Sequence, residues 1–207
     1  MKNKGFTLIE LLAVITIMGI LMLVAIPAVS RTIENSRRDT FADNAKTYIE
    51  TVRNAALADE LSCTVDGKNI TYSATPDGWY YYKICTKDET GCQETNTSDL
   101  MEKVSKSSWG SAELYGVVIW NKHNQKTDYY GLFVDSAKHG MTEPAPELDI
   151  KRGLIKTSGA VDKAKVFTDY KFYVTVTNNN TTTKYFTKPA NNPPAATNIT
   201  SLECKLG

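Results

Sequence analysis

An almost unbroken apolar run from Leu11 to Val29, entered through Met1-Lys2-Asn3-Lys4-Gly5-Phe6-Thr7-Leu8-Ile9-Glu10, constrains this chain more than any other feature. At about 1.5 Å per residue, a helix from Phe6 to Val29 spans roughly 36 Å, enough to cross a hydrocarbon layer of about 30 Å with some tilt. The run also exceeds the roughly 7–15-residue core of a cleaved secretory signal. Lys2 and Lys4 precede it, and Arg31, Arg37 and Arg38 follow. Lysines at the short N-terminal end favour keeping that end in the cytoplasm, which places the bulk of the chain outside. The run therefore reads as a single membrane anchor. The alternative is a signal-peptidase cut near the small residues Ala28 and Ser30, and the length of the run argues against it.

Glu10 is the odd residue, a carboxylate at the entrance of an uncharged segment. A charge in hydrocarbon costs a few kcal/mol even on lenient scales, so an acid here is either held at the headgroup level or functional. With its neighbours, Gly5-Phe6-Thr7-Leu8-Ile9-Glu10 closely resembles the processing site of type IV pilins and the related pseudopilins, residue for residue. The resemblance covers about Lys4 to Ser30 and includes Gly19 and Pro27, which fall where many pilins weaken the helix. It implies that a prepilin peptidase cuts after Gly5 and methylates the new terminus, making Phe6 the first residue of the mature chain. Pro27 removes a backbone donor and clashes with the carbonyl one turn back, so a kink or opening is expected there.

Electrostatics then gives Glu10 a role. Cleavage creates an ammonium at Phe6, and N-methylation leaves it cationic. In a filament core of apolar stems, either charge alone is strongly destabilising, whereas a close pair offsets much of the desolvation. The resemblance implies that Glu10 of one subunit meets the Phe6 terminus of the next and sets the stagger. It also implies an assembly ATPase and a platform protein as partners, with a host surface or DNA as conceivable targets.

Beyond Ser30 the helical period persists. Phe41, Ala45, Tyr48, Ile49, Val52 and Ala56 recur at three- and four-residue spacing, while Arg38, Asp39, Asp43, Lys46, Glu50 and Arg53 take other faces. This predicts one helix to about Leu61, apolar all round below and amphipathic above, with the apolar stripe packing a core.

After Leu61 the punctuation is that of β structure. Turn signals at Asp66-Gly67-Lys68-Asn69 and Pro76-Asp77-Gly78 flank strands at Ile70–Ala74 and Trp79–Ile84. Ser98-Asp99 opens a short helix to Ser105. Leu114–Trp120 and Tyr129–Val134 are apolar on both alternations and read as a central antiparallel pair joined through polar Asn121 to Asp128. Asp135–Thr157, with Gly140, Pro144, Pro146, Glu147 and Asp149, reads as a surface loop. Tyr170–Thr177 alternates as a half-exposed strand, Asn178-Asn179-Asn180 turns, and Thr181–Thr187 returns as an edge. Lys188–Asn198, with Pro189, Pro193 and Pro194, is an extended surface segment, and the Asn-x-Thr patterns of the Asn- and Thr-rich run say little without the host.

The expected class is α+β: a long N-terminal helix packed on an antiparallel sheet. Its parts are a leader (1–5), a transmembrane and assembly stem (6–29), an amphipathic continuation (30–61) and a head (62–207). Sheet order is not legible.

Cys63, Cys85, Cys92 and Cys204 all fall in the part placed outside, where an even count favours two disulfides in one of three connectivities. Cys85–Cys92 as a local loop and Cys63–Cys204 as a tie from the chain end to the top of the stem are favoured. Zinc would need these thiols with His123 or His139, but no close Cys-x-x-Cys pair exists, so no metal or cofactor is expected. No Gly-x-Ser-x-Gly elbow, His-Glu-x-x-His helix or phosphate loop appears, and both histidines lie in loop-like sequence and read as solvated. Trp79-Tyr80-Tyr81-Tyr82-Lys83 could stack on single-stranded DNA, yet with net charge +1 and no basic patch around it, sheet packing fits better. The reading is a structural filament subunit, with no enzymatic role. Its alternatives are a pseudopilin of a type II secretion or competence machine, or a membrane-tethered enzyme or binding protein.

Overall fold

The computed structural model describes residues 7–65, 67–84, 107–110, 113–123 and 126–161, residue 166, and the stretches 174–175, 184–185 and 202–206. Gly5, Phe6, Cys85, Cys92, the expected Ser98–Ser105 helix, the Asn178–Asn180 turn, the Lys188–Asn198 segment and most of 170–187 lie outside these residues. The chain comprises two compact units, Met1–Arg37 and Arg38–Gly207.

One helix, α1 (Leu8–Leu57), supplies the described part of the first unit and opens the second. In the second unit its buried residues include Phe41, Ala45, Tyr48, Ile49, Val52 and Ala56, the stripe that their spacing predicts. The helix stops at Leu57, short of the expected Leu61. Asp59 turns into the left-handed region (φ 58), its N–H bonds Ala56 O at 3.2 Å, and Glu60 N–H bonds Ala55 O at 2.9 Å. These are the paired closures of a Schellman motif. Glycine usually holds the left-handed position, and an aspartate there hides the stop.

The strands that follow are β1 (Leu61–Val65), β2 (Lys68–Thr71), β3 (Gly78–Ile84), β4 (Leu114–His123), β5 (Lys126–Asp135) and β6 (Ala145–Pro146). Then come β7 (Val174–Thr175), β8 (Lys184–Tyr185) and β9 (Leu202–Leu206). Seven of them form one sheet in the order β2-β1-β9-β3-β4-β5-β6, and β7 pairs with β8 apart from it. The last strand is thus placed inside the sheet, antiparallel to β1 and parallel to β3. That parallel pair departs from the purely antiparallel sheet expected.

Three further expectations change. The strand expected over Ile70–Ala74 ends at Thr71, and Tyr72–Ala74 wind into a 3₁₀ turn. There Lys122 Nζ donates to the carbonyls of Tyr72 (3.2 Å) and Thr75 (2.7 Å) while lying 5.1 Å from the centre of the Tyr72 ring. The polar connection expected from Asn121 to Asp128 is mostly strand, paired Asn121↔Asp128, Lys122↔Thr127 and His123↔Lys126, because ladder bonds use backbone groups and tolerate polar side chains. Asp135–Thr157 is not simply a surface loop. It buries Met141, Ile150 and Ile155 completely, adds β6 to the sheet edge, and closes through reciprocal Gly140–Lys156 backbone bonds of 2.9 and 2.7 Å.

The helix and sheet meet around Phe133. Its ring lies 5.8 Å from that of Tyr48 and covers the backbone at Gly116 and Gly131, where an added Cβ would fall 2.3 and 2.4 Å from it. Glycine at both positions is what lets the ring lie flat against the strands. The Trp79–Tyr82 run packs as expected. Trp79, Tyr80 and Tyr82 are buried, Trp79 lies 5.7 Å from Tyr130, and Tyr80 stacks on Trp120 at 6.1 Å.

Candidate functional site

The candidate site is the first unit's helix, built upward from Thr7. Thr7 Oγ1 and its backbone N–H both donate to Glu10 Oε2, at 2.7 and 2.8 Å, while Glu10 N–H returns a 3.4 Å bond to Thr7 Oγ1. Thr7 stands just before the first helical residue, so this is a capping box: the side chains at each end of Thr7-Leu8-Ile9-Glu10 satisfy donors that the helix start leaves open. Sequence reading had missed this role of Glu10, although Ser/Thr-x-x-Glu before an apolar run is its signal.

From there the helix presents its apolar side chains outward. Leu8 is 84% exposed, Leu23 76% and Val24 75%, and Ile15, Ile20 and Ile26 are also exposed. The segment is long and apolar enough to cross a membrane. Such a surface is costly in water, at roughly 25 cal/mol per Å2 of apolar area, and so requires a bilayer or other apolar helices around it. Nothing approaches within 4 Å of a Cβ placed on Gly19. The helix is unbroken at Pro27, where an opening was among the expectations, although Pro27 has no N–H to give. Thr16 and Thr32 turn their hydroxyls back on the carbonyls of Ala13 (2.9 Å) and Ala28 (3.0 Å), so these two hydroxyls are satisfied within the helix.

In the second unit, Cys63 and Cys204 form a disulfide at directly opposed positions of β1 and β9, as the favoured pairing has it. Both sulfurs are therefore withdrawn from metal binding, and among the described residues no three His, Cys, Asp or Glu side chains gather as a metal site. Cys85 and Cys92 lie outside the described residues.

A Ser, an Asp and a His do converge. Ser107 Oγ donates to Asp135 Oδ2 at 2.7 Å, His139 Nδ1 lies 2.7 Å from the same oxygen, and Asp135 Oδ1 accepts the N–H groups of Ala137 and His139. The carboxylate stands between hydroxyl and imidazole, so the hydroxyl bonds the carboxylate and not the imidazole, unlike the nucleophile–base–orienter order of a triad. The cluster is a loop clamp. His139 is only partly exposed, not solvated as expected, and its ring stacks on Trp109 with centroids 4.5 Å apart. His123 is the last residue of β4.

The segment between β5 and residue 156 is clipped to α1 at two points. Arg53 pairs with Glu147 and lies 4.6 Å from the centre of the Tyr129 ring, and Arg152 grips Asp39 through Nε and Nη2. The Arg152 hydrogen bond holds the Asp39 carboxyl below its usual range, while burial pushes the Tyr129 phenol up, with Tyr72 adding to the shift.

Residues 1–26 match the family model of the prokaryotic N-terminal methylation motif. Over 73 residues the chain is 45% identical to a fimbrial protein of Moraxella nonliquefaciens, a match covering 33% of this chain and 47% of that protein. The chain thus spans about half the length of the curated relative it matches, and no solved structure matches it. Motif, exposed apolar helix and fimbrial relative agree in pointing the N-terminal stem of this chain towards the type IV pilins.

Proposed function

We propose that this protein is a structural subunit of a type IV pilus. It would be held in the cytoplasmic membrane by residues 6–29 with its head outside, trimmed by prepilin peptidase after Gly5, and packed stem to stem into an extracellular filament. The observation that carries the reading is the motif over residues 1–26 joined to a helix whose apolar surface stands exposed. The work is structural, and the chemistry at Gly5 and Phe6 is done on this chain by another enzyme. Gly19 and Pro27 supply the weak points of the stem.

In the membrane the stem is solvated by lipid, and in the filament by other stems. Extraction is then nearly balanced in apolar burial, which suits an assembly motor acting through a platform protein. Glu10 pairs with the methylated Phe6 ammonium of a neighbour. Adhesion, twitching motility and DNA uptake are the uses such a filament serves. The pseudopilin alternative shares the same stem. Long surface filaments carrying this subunit along their length support the pilus, and their absence from cells with a working secretion machine supports the pseudopilin.

The test is Glu10→Val. It is expected to insert in the membrane at wild-type level and to be missing from sheared filaments. Wild-type filament yield would overturn the assigned role of Glu10.

A further inference from the structure

Above the stem, α1 leaves one stripe uncovered. Thr40, Asp43, Thr47, Glu50, Asn54 and Leu57 are exposed at alternating three- and four-residue spacing, on the side of the helix away from its buried stripe. The six residues include two carboxylates, Asp43 and Glu50, with the partly exposed Lys46 beside them at i+3 and i−4, and the stripe ends on Leu57, which is 75% exposed. Asp39 and Arg53, the residues that clip the 136–156 segment, stand along one border of it.

That segment is the stripe's counterpart. Its apex carries Leu148, 83% exposed, and its return limb from Ile150 carries Lys151, Arg152 and Lys156 and no acid. Leu57 and Leu148 are the strongly exposed large apolar side chains among the described residues of this unit. The two surfaces also share an order along the helix axis. Glu147 is fixed at the level of Arg53 and Arg152 at the level of Asp39, about 21 Å lower at roughly 1.5 Å per residue. Each surface thus has its leucine high and its charges below, carboxylates on the helix and, past the exposed Asp149, bases on the loop.

We propose that these are the two halves of one contact between copies of this chain: the stripe of one subunit receives Leu148 and the limb from Ile150 to Lys156 of the next. Leu148 packs on Leu57, and Lys151 faces Asp43 and Glu50. The two patches are different surfaces of the subunit, so the contact is head-to-tail. Such contacts repeat into rings or open filaments and do not stop at a pair. This rests on the filament reading and adds the surface by which heads meet.

Zero-length carbodiimide cross-linking of cells bearing the full-length protein tests it. Such cross-linking joins a carboxylate to a lysine amine only where the two touch. We expect a band at twice the subunit mass whose peptides join Asp43 or Glu50 to Lys151, lost in D43N/E50Q and in K151A. The reversal D43K/E50K is expected to lower the dimer yield roughly tenfold, and adding K151E to restore it. A wild-type band without those joined peptides, or an undiminished D43K/E50K band, overturns the contact. Because charge reversal on an exposed stripe could still disturb folding, the near-ultraviolet circular dichroism of each variant is compared with wild type. A native spectrum with lost cross-links supports the contact, and an altered one moves the decision to K151A. Cross-linked dimers from cells that bear no filaments would keep the contact and overturn the filament reading.

Discussion

The two halves of α1 are the same secondary structure with opposite solutions to burial. From Phe41 to Ala56 one stripe is packed against the protein's own sheet and its other faces are polar. From Leu8 to Val29 the apolar side chains face outward on all sides. Helix formation alone does not decide where such a chain can live. What decides is whether the apolar surface finds its partner within the molecule or must take it from a bilayer or from other copies. The upper half is therefore a matter of fold stability, and the lower half of location and assembly. Substitutions in the two should separate cleanly.

The largest separation is expected from the disulfide. Cys63→Ser with Cys204→Ser releases a link spanning 141 residues, for which loop-closure entropy gives about 5 kcal/mol as an upper figure. Thermal unfolding in detergent should show the head destabilised by several kcal/mol, while membrane insertion of the stem is unchanged. Phe133→Ala comes next, at about 3–5 kcal/mol, because it empties the space between Tyr48 and the two strand glycines. Gly116→Ala follows at roughly 1–3 kcal/mol, since its Cβ would also lie 2.8 Å from the backbone oxygen of Leu132, which cannot swing away. All three are read as shifts in head melting temperature with no loss from the membrane fraction.

The converse case is Ile17→Ala in the stem, where the side chain is 59% exposed. It should leave head stability within about 0.5 kcal/mol, and any effect should appear in filament yield. Glu10→Gln is sharper than Glu10→Val, since glutamine can keep the cap on Thr7 yet carries no charge for the Phe6 ammonium. Filament loss with both substitutions assigns the defect to charge, and loss with valine alone assigns it to the cap.

The smallest effects are those of pH. The Asp39 carboxyl is held low by the Arg152 hydrogen bond, and that of Asp59 by hydrogen bonds from Ser73 with help from the charge of Lys122. Each contributes stability that is present above the ordinary carboxylate range and lost as pH falls through the depressed folded value. The phenols of Tyr129 and Tyr80 are pushed up, chiefly by burial, so their contribution holds below the ordinary tyrosine range and is lost as pH rises above it. Melting of the full chain should therefore weaken at both ends of the pH scale. Asp39→Asn should flatten part of the acid limb and leave the alkaline limb alone.

The helix, its buried stripe and the β3–β4–β5 strands were legible because each is written in local periodicity. The stop at Leu57 was not, because Asp59 rather than glycine takes the left-handed turn. The 135–157 segment was misread because its apolar residues, Met141, Ile150 and Ile155, follow no helical or strand period and sit among Gly, Pro and acids. The place of β9 could not be read at all, since it depends on pairing with β1 and β3, far away in sequence. In the stem, the charge role of Glu10 followed from resemblance, whereas its capping role was present in Thr7-x-x-Glu10 and overlooked.

The most direct test of the central claim is the intact mass of the protein from its own host, with its N-terminal peptide mapped. A chain that begins at methylated Phe6 is the result expected of a processed pilus subunit. A chain that keeps Met1, or one that starts near Arg31, would contradict it and return Glu10 to being only the cap of its helix.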